Sequence, residues 1–208
     1  MATLVLFGPS RGGKTTFCNS ARRIQKKKGE KTPRTLIPQD EWDLNYMDID
    51  KPNNGFFNAD SIMDTSGQPA FLNNKAKLDT RIWLDKYVGI VFNICEFVEE
   101  IQNPREGGYI NSLLKYTFLP IWERRKADNK RLYLIGTHKD EYLRKHPSVT
   151  NMEEGVRSLI RKANNDYIKI SGKMRYPYYS PYFEGEYFCC IDATNLLEVR
   201  ELVHLIFS

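Results

Sequence analysis

Short apolar runs separated by polar segments occur along the whole chain and predict its secondary structure. Four of these runs are long enough for buried strands: Leu4–Phe7, Val88–Phe97, Arg131–Gly136 and Tyr187–Ile191. Apolar residues at helical spacing follow them, in Phe17–Ile24, Ile110–Ile121, Met152–Asn164 and Val199–Ile206. Strands that alternate with helices in this way predict an α/β fold with a mostly parallel sheet.

Two further strands complete the predicted sheet. They span Glu41–Asp50 and Gly55–Met63, and the Pro, Asn and Gly residues between them favour a tight turn and an antiparallel hairpin. The whole pattern therefore predicts a six-stranded sheet inside a three-layer α/β/α sandwich.

Two segments exceed what a minimal domain of this kind needs. Glu99–Gly108 is polar and contains Pro104, so we expect an extended loop there. Residues 141–187 form an insertion that holds one helix and then a tyrosine-rich stretch beginning at Tyr167. This stretch is either a self-packed insertion or a protein-binding surface, since tyrosine is enriched at interface hot spots.

Composition and charge narrow the class of protein. The 208 residues, 41% of them hydrophobic, suit one globular domain over residues 1–208 and exclude wholesale disorder. The longest apolar stretch, Tyr87–Val98, is too short to span a bilayer, and we expect neither a signal peptide nor a lipid anchor. Four cysteines without metal-type spacing favour free thiols in a reducing cytoplasm.

The net charge of +5 is modest and gives no reason to expect specific nucleic-acid binding. Much of the positive charge lies in one region, which is either a solvated helix end or a surface that steers an acidic partner or touches an anionic membrane. Its basic residues are Arg22, Arg23, Lys26, Lys27, Lys28, Lys31 and Arg34.

The strongest motif follows the first strand directly and has the GxxxxGK[ST] pattern of a phosphate-binding loop. Its residues are Gly8, Pro9, Ser10, Arg11, Gly12, Gly13, Lys14, Thr15 and Thr16. Glycines let the loop wrap a phosphate with backbone N–H groups pointing inward, and the helix N-terminus adds its positive dipole end. Lys14 can then reach the β- and γ-phosphates, while the Thr15 hydroxyl can bind Mg²⁺.

Three weaker motifs end later strands in the same order as in GTPases. The first is Asp64-Thr65-Ser66-Gly67-Gln68, in which Asp64 can hold Mg²⁺ through water, Gly67 can donate to the γ-phosphate and Gln68 can orient water. The second is Thr137-His138-Lys139-Asp140, where Asp140 offers two acceptors to the two donors on guanine. The third is Asp192-Ala193-Thr194-Asn195, in which Asn195 and Glu198 favour a capped helix start.

These four motifs in this order resemble the Ras-like superfamily of GTPases over nearly the whole chain. The phosphate-binding loop and the Arg34-Thr35 pair are similar to bacterial polarity and motility GTPases. Thr137-His138-Lys139-Asp140 is similar to Roc domains, although His138 stands where lysine is usual, and Asp192-Ala193-Thr194-Asn195 resembles Gα subunits.

The resemblance implies a GTP-hydrolysing molecular switch that binds GTP or GDP with Mg²⁺ and acts with regulatory and effector proteins. Thr15, Thr35 and Asp64 would hold the metal, with Thr32 a less favoured choice for the switch threonine. Lys14, Thr35 and Gln68 would act in hydrolysis, together with Arg34 or, less favoured, Arg11. The nucleotide would be bound by the loop from Gly8 to Thr16 and by the later residues Gly67, Thr137, His138, Lys139, Asp140, Ala193 and Thr194.

Two other functions stay open at this point. The phosphate-binding loop also resembles that of guanylate kinases, and the chain length fits that class. Alternatively, the protein is a nucleotide-binding interaction module without hydrolysis, which the unusual His138 leaves open.

Overall fold

The computed structural model describes residues 2–23, 45–48, 59–64, 87–103, 131–159 and 187–207, and the single positions 109, 113, 117, 121, 125 and 161. The strands are β1 (Ala2–Phe7), β2 (Asn45–Asp48), β3 (Ala59–Asp64), β4 (Tyr87–Asn93), β5 (Tyr133–Thr137) and β6 (Tyr187–Cys190). The helices are α1 (Lys14–Arg23), α2 (Ile94–Gln102), α3 (Lys139–Lys145), α4 (152–159) and α5 (Leu196–Phe207).

The six strands form one sheet in the order β2-β3-β1-β4-β5-β6. All neighbours pair in parallel except β2 and β3, which are antiparallel. The predicted α/β fold, the mostly parallel sheet and the antiparallel pairing of the second and third strands are confirmed. The turn predicted between these two strands lies outside the described residues.

Each face of the sheet packs against its own group of helices, because successive residues of a strand point to opposite faces. Leu4 and Leu6 of β1 belong to a core shared with α1 and α5, which contribute Phe17, Cys18, Val199, Leu202 and Val203. Val5 and Phe7 belong to the other core, which includes residues of α2, α3 and α4 such as Phe97, Ile101, Tyr142, Met152 and Val156. Two cores on two faces give the layered arrangement that the sequence predicts.

Two boundary predictions are wrong. The apolar run over Val88–Phe97 is not one strand, because β4 ends at Asn93 and α2 begins at Ile94. The loop expected at Glu99–Gly108 does not begin at Glu99, because α2 continues to Gln102. The Asn93 side chain accepts hydrogen bonds from the backbone N–H groups of Cys95 and Glu96, so it caps the new helix. Ile94, Phe97, Val98 and Ile101 are buried at helical spacing, which supplies the packing that holds α2.

The insertion between α3 and β6 is described only in part. A helix is present at 152–159 and at 161, as predicted, and the tyrosine-rich stretch lies outside the described residues apart from Tyr187 in β6. Among the described residues, no helix is long and apolar enough to cross a membrane. None of the four cysteines forms a disulfide in the part of the chain that the structure describes.

Candidate functional site

The loop between β1 and α1 has a backbone that only glycine fits at two positions. Gly8 and Gly13 have φ angles of +144° and +87°, in the region that residues with a Cβ rarely adopt. A Cβ on Gly8 would lie 1.9 Å from the carbonyl oxygen of Val91 in β4. The loop therefore lies directly against the end of β4, in a conformation consistent with a phosphate-binding loop.

The Lys14 ammonium group is held by this loop. Its Nζ donates to the carbonyl oxygens of Gly8, at 2.9 Å, and Pro9, at 3.0 Å, and the residue is buried. Lys14 is also the first residue of α1, so its charge lies at the positive end of the helix dipole. This arrangement concentrates positive potential on the loop and suits an anionic ligand.

Thr137, at the end of β5, lies beneath the same loop. Its side chain is fully buried, and its Oγ1 is 2.8 Å from the Gly12 carbonyl oxygen and 3.1 Å from that of Phe92. The same oxygen is 2.8 Å from Nδ1 of His138. The hydroxyl is a donor to these carbonyl oxygens, which only accept, and it lies within hydrogen-bond distance of the His138 ring. Thr137 thus joins the phosphate-binding loop to the next motif.

The other residues of this motif separate into distinct environments. His138 has a left-handed φ of +64° and is half-buried. Lys139 turns away to an ion pair with Glu198 of α5, at 3.1 Å. Asp140 stays exposed, with its carboxylate 3.8 Å from Arg144 one turn further along α3. Asp140 therefore has a weak partner that a ligand can replace.

The segment after β6 is fixed against both α1 and β5. The Ala193 carbonyl oxygen accepts a buried hydrogen bond of 2.6 Å from Oγ of Ser20. The Asp192 carboxylate accepts from the backbone N–H of Thr194, at 2.8 Å, and from its hydroxyl, at 2.7 Å. The Ile191 backbone N–H donates to the Gly136 carbonyl, at 2.8 Å, which extends the pairing of β5 with β6.

A pocket of about 170 Å³ lies where these segments meet. It is lined by Gly13 and Thr16 of the phosphate-binding loop, by His138, Asp140, Glu141 and Arg144 after β5, and by Asp192, Ala193 and Thr194 after β6. The structure thus brings three motifs that are far apart in the sequence to one cavity. Mixed apolar and polar walls that include the three carboxylates of Asp140, Glu141 and Asp192 suit a heterocyclic base with hydrogen-bond donors.

The residues predicted to hold Mg²⁺ are described in part. Thr15 is the second residue of α1, and Asp64 ends β3, where its backbone pairs with Leu6 just before the phosphate-binding loop. No group of three or more His, Cys, Asp or Glu residues that could hold a metal is found among the described residues. The predicted metal set needs no such group, because it combines one Asp with threonine hydroxyls and phosphate oxygens. Arg34, Thr35, Gly67 and Gln68 lie outside the described residues.

Sequence reasoning missed several residues around the site. Glu96 in the first turn of α2 is one: burial raises the pKa of its carboxyl group, and the nearby charges of Arg11 and His138 oppose that rise. Ser20, Arg144 and the ion-pairing role of Glu198 were also missed. The contacts of Ser20 with Ala193 and of Glu198 with Lys139 join segments that are far apart in the sequence, so no local pattern predicts them. Arg144 is different, because its contact with Asp140 is a local i,i+4 pair within α3.

Comparison with known proteins supports the fold. No protein-family model matches the chain, and no curated protein matches its sequence. Among solved structures it is similar to a chain reported as "The Structure of the Mammalian SRP Receptor", with 11% identity and a TM-score of 0.54, over 98% of this chain and 99% of that one. At this identity the likeness shows the fold alone: the chain has the same α/β fold as that structure.

Proposed function

We propose that the protein is a small GTPase, a Mg²⁺-dependent molecular switch that binds and hydrolyses GTP. The observation that carries the proposal is the pocket shared by Gly13, Asp140 and Ala193, which come from three motifs in the order typical of Ras-like GTPases. A glycine-rich phosphate-binding loop beside an acidic base site fits a guanine nucleotide.

The phosphate half of the proposed site rests on the loop and on Lys14. The loop N–H groups and the start of α1 bind the phosphates, and the Lys14 ammonium group neutralises the β- and γ-phosphate charge. Thr15, Thr35 and Asp64 would hold Mg²⁺, which supplies charge stabilisation at the phosphates. Gln68 orients the attacking water, and Arg34 adds positive charge near the γ-phosphate in this proposal.

The base half of the proposed site rests on Asp140 and His138. A carboxylate only accepts hydrogen bonds, so Asp140 pairs with the two adjacent donors of guanine, whereas adenine offers no such pair. The 3.8 Å contact with Arg144 is exposed and weak, so the carboxylate is available to exchange it for the base. The His138 ring, whose Nδ1 lies 2.8 Å from Oγ1 of Thr137, packs against the base in place of the usual lysine.

Identification of the bound nucleotide tests the proposal directly. The purified protein is denatured, the released nucleotide is identified, and affinities for fluorescent GDP, GTP and ATP are measured with Mg²⁺. We expect GDP or GTP and a preference for guanine over adenine of roughly 5- to 150-fold, because a good bidentate pair with a base is worth about 1–3 kcal/mol. A preference for adenine, or no affinity for guanine nucleotides, would refute the proposal.

Turnover separates the switch from the two other functions. We expect slow release of phosphate from GTP that Gln68→Leu reduces at least tenfold while GTP binding remains, because Gln68 acts on the water and not on affinity. Transfer of phosphate from ATP to GMP would instead identify a guanylate kinase-like enzyme. GTP binding without any turnover would identify an interaction module.

Arg34 is tested in the same single-turnover assay. Arg34→Ala should lower the hydrolysis rate at least tenfold with little loss of GTP binding, because an arginine at the γ-phosphate stabilises transition-state charge. An unchanged rate would remove Arg34 from the mechanism. The same measurement on Arg11→Ala compares the two candidate arginines.

A further inference from the structure

The carboxylate of Glu198 in α5 connects the two loops that line the base half of the pocket. Its Oε2 accepts from the Lys139 ammonium group, at 3.1 Å, and from the backbone N–H of Asp192, at 3.0 Å. Its Oε1 accepts from Nδ2 of Asn195, at 3.2 Å. Lys139 directly precedes Asp140, and Asp192 directly precedes Ala193, so one side chain holds the neighbours of both base-site residues.

The Glu198 contacts join the two segments just beyond the point where the pairing of β5 with β6 ends. The register between β5 and β6 ends at Gly136 and Cys190, and backbone hydrogen bonds extend it only through Ile191 and the Lys139 N–H, at 3.3 Å. Asp140 and Ala193 lie beyond that point, where strand pairing no longer fixes the separation of the two loops. The Glu198 carboxylate spans the gap with two charge-assisted hydrogen bonds, which are stronger than neutral ones.

At the start of α5, Glu198 does not make the hydrogen bond that an acidic residue at its position usually makes. Asn195 accepts from the Leu197 N–H, at 3.1 Å, as an N-cap residue does. In a capping box, the acidic residue three positions on would accept from the N-cap backbone N–H. That N–H donates instead to the Asp192 carbonyl, at 2.9 Å, and Glu198 reaches past it to the Asp192 N–H and Lys139.

We propose that Glu198 is a positioning residue that sets the spacing of the two base-binding loops and thereby the rate at which the nucleotide dissociates. The inference rests on the proposed function, since it concerns the same pocket. Glu198 and Lys139 have side chains that are 26% and 32% exposed, so solvent screens their attraction only in part. Loss of the pair lets the loop that carries Asp140 move relative to the loop that carries Ala193, which weakens contacts to the base.

The test measures release of a fluorescent GDP analogue into excess unlabelled GDP for wild type and variants. Glu198→Gln keeps size and one acceptor but removes the charge, and Lys139→Met keeps the chain length but removes the ammonium group. We expect each to raise the dissociation rate about five- to tenfold, as loss of a partly screened charged hydrogen bond predicts. The double variant should be no faster than the faster single one, because both remove the same contact, and Lys139→Arg should restore the wild-type rate.

Two matched controls separate positioning from general destabilisation. Glu201→Gln removes an exposed glutamate from the same helix, and Lys145→Met breaks the exposed pair with Glu141, at 2.8 Å, within α3. Neither joins the two loops, so both should release the nucleotide at the wild-type rate. Salt provides a second readout: raised ionic strength should speed release from wild type and leave the Lys139→Met/Glu198→Gln variant little changed.

The failures of the two proposals are distinguishable. Wild type without affinity for guanine nucleotides would refute both. Wild type that binds GDP, with Glu198→Gln and Lys139→Met releasing it at the wild-type rate, would refute the positioning role alone. A lowered melting temperature of the nucleotide-free variants with unchanged release would also refute it, because Glu198 would then stabilise only the fold.

Discussion

Replacement of Gly13 by alanine perturbs the point at which the phosphate-binding loop meets the motif after β5. The new Cβ would lie 2.7 Å from Oγ1 of Thr137, 2.9 Å from its Cγ2 and 3.0 Å from its Cβ. Thr137 is fully buried, so its side chain has little room to retreat. Alanine must also adopt the φ of +87° that Gly13 has.

Two costs combine in this substitution. A residue with a Cβ in a left-handed conformation costs about 1–2 kcal/mol. Displacement of the Thr137 hydroxyl removes the donor of the Gly12 carbonyl oxygen, and an unsatisfied buried acceptor costs about 1–3 kcal/mol. The free energy of unfolding should therefore fall by roughly 2–5 kcal/mol, which corresponds to roughly 4–20 °C in melting temperature at this chain length.

Urea unfolding and thermal melting, both followed by circular dichroism without nucleotide, measure this loss. Gly155→Ala is the matched control, because a Cβ on Gly155 in α4 would lie 3.9 Å from Val149, which is ordinary contact. Alanine in a helix interior is favoured over glycine by about 0.5–1 kcal/mol, so the control should be neutral or stabilising. Unfolding of Gly13→Ala within about 0.5 kcal/mol of wild type would refute the proposed packing of Thr137 against the loop.

Three other substitutions probe separate features of the site. Asn93→Ala removes the cap of α2 and should lower the free energy of urea unfolding by about 0.5–2 kcal/mol, whereas Asn103→Ala at the other end of that helix removes no side-chain cap and should cost less. Glu96→Gln tests a pKa that burial raises above its ordinary value of 4.5, against the opposing charges of Arg11 and His138. The folded state holds the Glu96 carboxyl proton more tightly than the unfolded state, so the stability that this proton contributes is lost as pH rises above 4.5 and through the raised pKa. Glu96→Gln should therefore gain melting temperature relative to wild type as the pH is raised from 4.5. Lys14→Met should weaken GTP binding in a fluorescence titration by on the order of tenfold or more, because it removes the charge at the phosphates; equal affinity would contradict the proposed role of the loop.

The sequence predicted the structure best where each segment carries its own local signal for the element that it forms. An apolar run, a glycine-rich loop and a helix follow one another from Leu4 to Arg23, and each step has its own signal, so β1, the loop and α1 could be placed from the sequence. Asp140 and Ala193 lie beside this loop because they follow parallel strands whose carboxyl ends share one edge of the sheet.

The boundary after β4 could not be predicted, because Ile94, Cys95, Phe97 and Val98 fit a buried strand and a buried helix equally well. The capping contacts of Asn93 decide between them, and they exist only in the folded chain. The contacts of Thr137 and Glu198 could not be predicted either, because their partners are distant in the sequence. The left-handed backbone at His138, which directs Lys139 toward α5, could not be predicted because no glycine stands at that position.

The central position of β1 has a consequence for how the chain folds. Its partners are β3 and β4, so Leu4 pairs with Ile62 on one side and with Tyr87 on the other, across long stretches of intervening sequence. Such non-local pairing slows folding, since loop-closure entropy is lost before the contacts form. The run Leu4–Phe7 is fully buried in the native state, and a newly made chain would expose it until both partner strands arrive. We therefore expect refolding to compete with aggregation, and a rise in the refolded fraction on dilution would reveal that competition.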